Sequence, residues 1–231
     1  MGQKQTIAII IPVHNESGVI GEALKHFVSL GADEMIVVDG KSLDGTYEIV
    51  KRKFPDLMCC QTAFPERSLQ MNLGASKSRS DVLIFAHIDM KLPLNAIGMV
   101  REKVQQGFIG GGFKKSYNPS TWLLRAYIYL LNQLYLARMH CLVGTNAMFV
   151  TREIFEKMKG FSDVALLEDM IFSECLNKEG GIAIIDHPVI VSSRKYFKKG
   201  VIKQILRNVR IVLGYKFLHE SPVKLREIYQ G

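Results

Sequence analysis

Polar side chains follow two strongly apolar runs near the start of the chain. The first run, residues 7–13, ends with Pro12 and Val13, and His14 and Glu16 come just after it. A ring and a carboxylate at a strand end can lie beside a nucleobase, although the same pattern is also typical of a turn. The second run ends at Asp39, and Gly40 lets a ligand approach the backbone because it has no Cβ. A turn that caps the next helix is the alternative, but it gives the carboxylate of Asp39 no role.

Three later segments carry groups suited to phosphate binding, metal binding and proton transfer. Arg67 opens a predicted helix, where its guanidinium can pair with phosphate or simply lie on the surface. His87 and Asp89 follow a buried run at i, i+2 spacing, so both lie on one side of an extended chain. Asp89 fits a Mg²⁺ or Mn²⁺ ion that a diphosphate also binds, and a hydrogen-bonded pair is the alternative. Glu168 and Asp169 stand at a predicted helix start, where the helix dipole stabilises negative charge, although capping needs only one of them.

The first half of the chain alternates strand and helix patterns. Apolar runs of strand length occur at 7–13, 34–38, 58–62 and 82–86, with helical spacing at 17–30, 47–53 and 68–78. This alternation predicts an α/β fold with a mostly parallel central sheet and helices on both faces. Ligands of such sheets bind beyond the carboxyl ends of the strands, so the candidate residues should meet at one edge.

The second half is less regular. The pattern predicts a turn or strand start at 110–113, strands at 144–150 and 182–185, and helices at 152–159, 167–178 and 201–213. No boundary is visible before about residue 192. We therefore expect one domain over residues 1–191 and a basic helical extension, residues 192–231, packed on or beside it.

Composition and missing motifs exclude several classes of protein. A chain of 231 residues can bury a large core, and its four cysteines lack paired spacing, which predicts reduced thiols and a cytoplasmic location without a signal peptide. No G-x-G-x-x-G follows a strand, which excludes a Rossmann dehydrogenase. A nucleotidyltransferase would need a glycine-rich basic loop after the first strand. The segment there is His14-Asn-Glu-Ser17, which argues against that class.

The C-terminal segment predicts contact with an anionic surface. Residues 191–231 hold ten of the 30 Lys and Arg residues but two of the 22 acidic ones, which accounts for the net charge of +8. The helix predicted at 201–213 has an apolar face opposite basic residues, as interfacial helices do. That face comprises Ile202, Ile205, Leu206, Val209, Val212 and Leu213. The apolar segment Trp122–Ala137 is shorter than the roughly 20 residues of a spanning helix. The alternative is that both helices pack on the sheet or in a homo-oligomer interface. No nucleic-acid partner is expected.

Six motifs in order resemble glycosyltransferase family 2. They are PVHNE, VVDGKSLDGT, ERSLQMNLGASKS, LIFAHIDMKLP, GTNAMFVTRE and LLEDMIF. The resemblance runs from about Ile7 to the C-terminus and is nearest to small bacterial transferases with an LHADT-type metal motif. It implies the GT-A fold and inverting transfer of a sugar from a nucleotide diphosphate sugar, a UDP-sugar, to an acceptor hydroxyl. The resemblance leaves the acceptor unnamed; a lipid-linked one at the inner face of the cell membrane would suit the C-terminal pattern.

The resemblance also assigns residue roles. Asp89 would bind Mn²⁺ or Mg²⁺, Asp169 would be the general base, and Glu168 would hold the loop or contact the acceptor. Residues that would bind the nucleotide sugar are Pro12, His14, Glu16, Asp39, Gly40, Arg67 and His87. His87 replaces the first Asp of the family's DxD motif. A non-catalytic nucleotide-sugar or lipid-binding protein with a degenerate site is the alternative function.

Overall fold

The computed structural model describes residues 5–136 and 140–230, so Ala137 at the end of the predicted apolar segment lies outside them. Within these residues the strands are β1 (Ile7–Val13), β2 (Glu34–Asp39), β3 (Met58–Gln61), β4 (Val82–Phe85), β5 (Met90–Lys91), β6 (Gly110–Asn118), β7 (Met148–Thr151) and β8 (Ile182–Ser192). The α-helices are α1 (Ile20–Ser29), α2 (Thr46–Lys53), α3 (Arg67–Lys77), α4 (Ala96–Gln105), α5 (Trp122–Leu130), α6 (Arg152–Lys157), α7 (Glu168–Glu179), α8 (Arg194–Lys199), α9 (Val201–Lys216) and α10 (Pro222–Gln230).

The strands form one sheet in the order β3-β2-β1-β4-β7-β6-β8-β5. β3, β2, β1 and β4 run parallel, and every residue of β1 is buried, as a central strand covered on both faces requires. β7 is antiparallel to both β4 and β6, so β6 again points the same way as β4. β8 pairs parallel with β6. The predicted α/β fold with a mostly parallel sheet is confirmed, and the carboxyl ends of β1, β2, β4, β6 and β8 lie at one edge.

Helices cover both faces of this sheet. Leu24 and Phe27 of α1, with Val100 of α4, pack into the core on one face. Met71 of α3 and Phe172 of α7 pack into the core on the other. The second core contains an aromatic cluster in which the Phe161 and Phe172 rings stack at 4.3 Å, and further rings of the cluster are Phe85 and Phe155. This cluster holds the first turns of α7 against the sheet.

The second half differs from its predicted pattern. The predicted strand at 144–150 begins with a 3₁₀ turn, Gly144–Asn146, and becomes a strand only after Ala147, whose φ of 44° interrupts extended pairing. The glycines at 110–112, poor strand formers alone, begin a nine-residue strand because β7 and β8 pair with them. A Cβ at Gly111 would lie 2.0 Å from the carbonyl oxygen of Ala183, so only glycine permits this pairing.

The C-terminal helices pack against the rest of the chain. Tyr215 of α9 donates a 3.1 Å hydrogen bond to Glu174 of α7, which also pairs with Lys216. Arg207 donates to the carbonyl oxygen of Tyr229 in α10 at 2.9 Å. The division of the chain near residue 192 stays a prediction. Over the described ranges, no helix combines the length and the apolarity that a membrane span requires.

Candidate active site

A cavity of about 500 Å³ opens at the sheet edge where the parallel strands end. The predicted site residues that line it are Pro12, His14, Glu16, Arg67, His87, Asp89 and Asp169. These residues come from four separate segments, and the sheet brings them together because each follows a strand or begins a helix at the same edge. Asp39, Gly40 and Glu168 lie outside its lining.

The β1–α1 loop presents His14 at the cavity. The imidazole Nδ1–H donates to the carbonyl oxygen of Gly40 at 2.9 Å, and Nε2 accepts from the Asn15 amide at 3.0 Å. Asn15 adopts a left-handed φ of 53°, which short polar side chains tolerate. The ring is therefore held by its edge, while its faces remain exposed to a stacking partner.

Asp39 and Gly40 organise the β2–α2 loop. The fully buried carboxylate of Asp39 accepts hydrogen bonds from the backbone N–H and hydroxyl of Ser42 and, at 3.0 Å, from the Gln61 amide. A Cβ at Gly40 would lie 2.9 Å from the Cα of Pro65, so glycine lets two loops pack closely. These contacts give both residues a structural role, and their nucleoside-binding roles stay predictions.

Gln70 is a cavity-lining residue that the sequence analysis missed. Its buried amide Nε2 donates to the carbonyl oxygens of Val13 at 2.8 Å and Val38 at 2.7 Å. Those carbonyls end β1 and β2, so the side chain spans the gap where the two strands separate. No local sequence motif distinguishes a glutamine that bridges two strand ends from any other glutamine in an amphipathic helix.

We expect Gln70→Met to lower the free energy of unfolding by about 1–3 kcal/mol, because it removes two buried hydrogen bonds, although the Val13 carbonyl still accepts from the backbone N–H of Gly40. Urea denaturation followed by circular dichroism measures this loss. Gln133→Met is the matched control, since Gln133 is exposed. Equal stability of the two variants would contradict the assigned role.

The β4–β5 loop places His87 and Asp89 in the cavity. Burial lowers the pKa of the His87 imidazole to about 3, and the positive charges of Arg67 and Lys195 act in the same direction. A neutral imidazole and a carboxylate are donors that Mn²⁺ accepts. The described part of the chain holds no cluster of three or more His, Cys, Asp or Glu side chains placed for a metal ion. Two such donors would leave most ligand positions of a divalent cation to diphosphate oxygens and water.

Asp169 lies at the first turn of α7 and points into the cavity. Its carboxylate accepts hydrogen bonds from the backbone N–H groups of Gly144 and, at 2.7 Å, Met170. A Cβ at Gly144 would lie 2.3 Å from His87 Nε2 and 3.4 Å from an Asp169 oxygen. Gly144 thus brings the β4–β5 loop and the start of α7 into contact, where a larger residue would separate them.

Glu168 precedes Asp169, is buried, and is not among the residues that line the cavity. Burial, together with the negative charge of Asp169, raises the pKa of Glu168 above its ordinary value. Successive helical residues point about 100° apart, so one of the two carboxylates faces the cavity. That residue is Asp169.

The C-terminal helices and β6 supply cavity residues that no motif had marked. Lys195 of α8 acts electrostatically on His87 together with Arg67. The hydroxyl groups of Tyr117 in β6 and Tyr196 in α8 lie 3.3 Å apart, and Asn208 of α9 donates to Tyr196 at 2.9 Å. The 192–230 segment therefore forms part of the cavity wall.

Comparisons with known proteins agree with this fold. S. aureus TarS 1–349 in complex with UDP superposes with a TM-score of 0.67 at 14% identity, covering 90% of this chain and 65% of that one. The mannosyltransferase PcManGT from Pyrobaculum calidifontis, in complex with GDP-Man and Mn²⁺, gives a TM-score of 0.66 at 19% identity, covering 99% and 69%. The sheet, the cavity at its edge and these similarities define a GT-A fold.

The family follows from the sequence comparison. The model of glycosyl transferase family 2 matches residues 8–158, and the chain belongs to that family. The probable glycosyltransferase YdaM of Bacillus subtilis (strain 168) is 27% identical over 195 residues, which are 73% of this chain and 46% of YdaM. The chain thus spans about half the length of this curated relative.

Proposed function

We propose that the protein is an inverting, metal-assisted glycosyltransferase that moves a sugar from a UDP-sugar to an acceptor hydroxyl. The observation that carries the proposal is the meeting of His87, Asp89 and Asp169 in one cavity at the carboxyl edge of the sheet. Membership of glycosyl transferase family 2 supports the reaction class. The nucleotides bound by TarS and PcManGT support a nucleotide-sugar donor.

The donor would lie along the strand ends. His14 and Glu16 hold the nucleoside, while Arg67 and Lys195 pair with the diphosphate. Asp89, joined by His87 when the ion is Mn²⁺, holds the divalent cation. When bound, this cation supplies positive charge that offsets the charge developing on the diphosphate leaving group.

Asp169 acts on the acceptor. Its carboxylate takes the proton of the acceptor hydroxyl as that oxygen forms a bond to the anomeric carbon. The bond from the anomeric carbon to the diphosphate oxygen breaks, and its electron pair leaves with the nucleoside diphosphate. A single displacement of this kind inverts the configuration at the anomeric carbon. The backbone N–H groups of Gly144 and Met170 donate to Asp169 and keep its carboxylate oriented while the proton moves.

The function is tested by thermal-shift measurements followed by turnover. UDP and GDP, with and without Mn²⁺ or Mg²⁺, are compared first, because a ligand of the folded state raises stability by mass action. UDP-sugars are then screened for slow hydrolysis by the pure protein. We expect the largest shift with UDP and Mn²⁺, and release of UDP from one sugar donor. Binding without any turnover would support the non-catalytic alternative.

We also propose that the protein works at the cytoplasmic face of the membrane. Ile202 and Leu206 of α9 are each 63% exposed, and Val209 and Leu213 continue the same exposed stripe. Lys203 and other basic residues of the 192–230 segment surround it. An exposed apolar stripe with a basic surround suits an anionic lipid surface.

We expect co-sedimentation with anionic liposomes at low salt and its loss at high salt, since each basic residue contributes about 1 kcal/mol that salt screens. Leu206→Glu should reduce the bound fraction, whereas Leu94→Glu, at an exposed residue before α4, should not. If the protein stays in the supernatant at low salt yet transfers sugar to a soluble acceptor, the stripe has another partner, such as a second copy.

A further inference from the structure

The cavity has an apolar half that the proposed donor site does not use. On β6, Lys115 and Tyr117 both face the cavity, and the backbone of Lys115 is held by the Asn132 amide at 2.8 and 3.2 Å. The facing wall comes from α5, from the segment after it and from the C-terminal helices. Its residues are Tyr127, Leu131, Leu136, Ile211, Val212 and Tyr229. This half adjoins Asp169, so whatever it binds lies next to the proposed base.

Lys115 places a buried ammonium in that half. The residue is 7% exposed, and its Nζ donates to the hydroxyl of Thr145 at 3.0 Å. An ammonium has three N–H donors, and across the described ranges this is its one hydrogen-bond partner. Burial lowers the pKa of Lys115 to about 8, and the charge of Asp169 opposes that shift. Buried charges are normally paired, so the remaining donors are suited to an anionic ligand.

Lys115 is distinct from the cations proposed to hold the diphosphate. Arg67 and Lys195 act electrostatically on His87. Lys115 Nζ instead donates to Thr145, and the residue before Thr145, Gly144, donates its backbone N–H to Asp169. Asp169 itself already accepts hydrogen bonds from Gly144 and Met170. The ammonium is therefore placed beside the acceptor side of the cavity, with an apolar wall facing it.

We infer that the acceptor is amphiphilic, an inference that rests on the proposed function. Lys115 binds an anionic group of the acceptor near its reacting hydroxyl, and the apolar half of the cavity receives the acceptor's apolar portion. Octyl phosphate is the probe for the whole ligand, inorganic phosphate for the anion alone, and octanol for the chain alone. Isothermal calorimetry on the full chain measures each affinity in the presence of saturating UDP and Mn²⁺ and again without them.

We expect octyl phosphate to bind at least about tenfold more tightly than either fragment. Lys115→Met should weaken it by about tenfold or more, because a charge-assisted hydrogen bond is lost, and should leave UDP affinity unchanged. Lys114→Met is the matched control, since Lys114 pairs with Asp186 at 2.6 Å and does not line the cavity. Lys115→Gln, which keeps a polar group, replaces the Met variant if that variant does not fold.

The outcomes separate this inference from the proposed function. Equal binding of octyl phosphate and inorganic phosphate would overturn the apolar subsite and leave a soluble anion as ligand. A Lys115 variant that loses UDP affinity and keeps octyl phosphate affinity would move Lys115 to the donor site and overturn the inference. Both results are compatible with the proposed transferase function, whereas absence of UDP binding in the wild type would count against that function.

Discussion

Asp169→Asn is expected to lower the rate of sugar transfer by about 10²–10⁴-fold, the usual contribution of a general base. The amide keeps nearly the same shape but cannot accept a proton at neutral pH. UDP affinity should stay unchanged, because Asp169 faces the acceptor side of the cavity in the proposed mechanism. Single-turnover kinetics with the donor identified in the thermal-shift screen, together with calorimetry of UDP, measures both quantities.

Glu168→Gln is the matched control for that variant. Glu168 does not line the cavity, so its loss of charge should leave most of the transfer rate. Because burial raises the pKa of Glu168, its ionised form destabilises the fold at neutral pH, and this cost falls as pH drops. The Gln variant should therefore be as stable as the wild type or more so at pH 7. Near-full activity of Asp169→Asn with an inactive Glu168→Gln would reverse the two roles.

Asp89→Ala should remove the metal-dependent part of UDP binding. Loss of groups that only orient a metal ligand costs 10–100-fold in metal affinity, so loss of the ligand itself should cost more than about 100-fold. Calorimetry of UDP with and without Mn²⁺ is the measurement. The circular dichroism spectrum should not change, since the Asp89 side chain lies at the cavity and not in the core.

Asp186→Ala controls for the loss of one negative charge. Its side chain is 80% exposed and pairs with Lys114 outside the cavity, so metal-dependent UDP binding should survive. Unchanged affinity in Asp89→Ala would show that another group holds the cation. A comparison with His87→Asn then identifies whether the imidazole contributes, because Mn²⁺ accepts nitrogen ligands more readily than Mg²⁺ does.

Local patterns were sufficient for the first half of the fold. The runs that became β1 and β4 are continuously apolar, as strands buried on both faces must be, and helical spacing separated them. From this order alone a parallel sheet follows, and with it the edge at which His14, Arg67 and Asp89 meet. Asp169 was also recognisable, because a pair of carboxylates at a helix start is a local signal.

The second half needed tertiary structure. Gly110–Asn118 became a strand because β7 and β8 pair with it, and pairing between distant segments leaves no periodic trace in a run of glycines. The sequence analysis did not predict α4 or α10, although Ile97, Val100 and Val104 of α4 have helical spacing. The helix predicted from Trp122 is α-helical only as far as Leu130, where α5 ends, and a π-helical segment then continues to Leu136.

The sequence by itself determined the fold class, the edge that carries the site and the residues with marked chemistry, because each depends on spacing within one segment. Tertiary structure alone decided that Gln70 joins two strand ends and that Lys115 is a buried cation beside Asp169, whereas the family resemblance had already favoured Asp169 over Glu168. A lysine that follows another lysine in a strand has no distinguishing pattern. Its environment comes from Thr145 and from helices far along the chain, and burial by distant segments is what turns an ordinary side chain into a site residue.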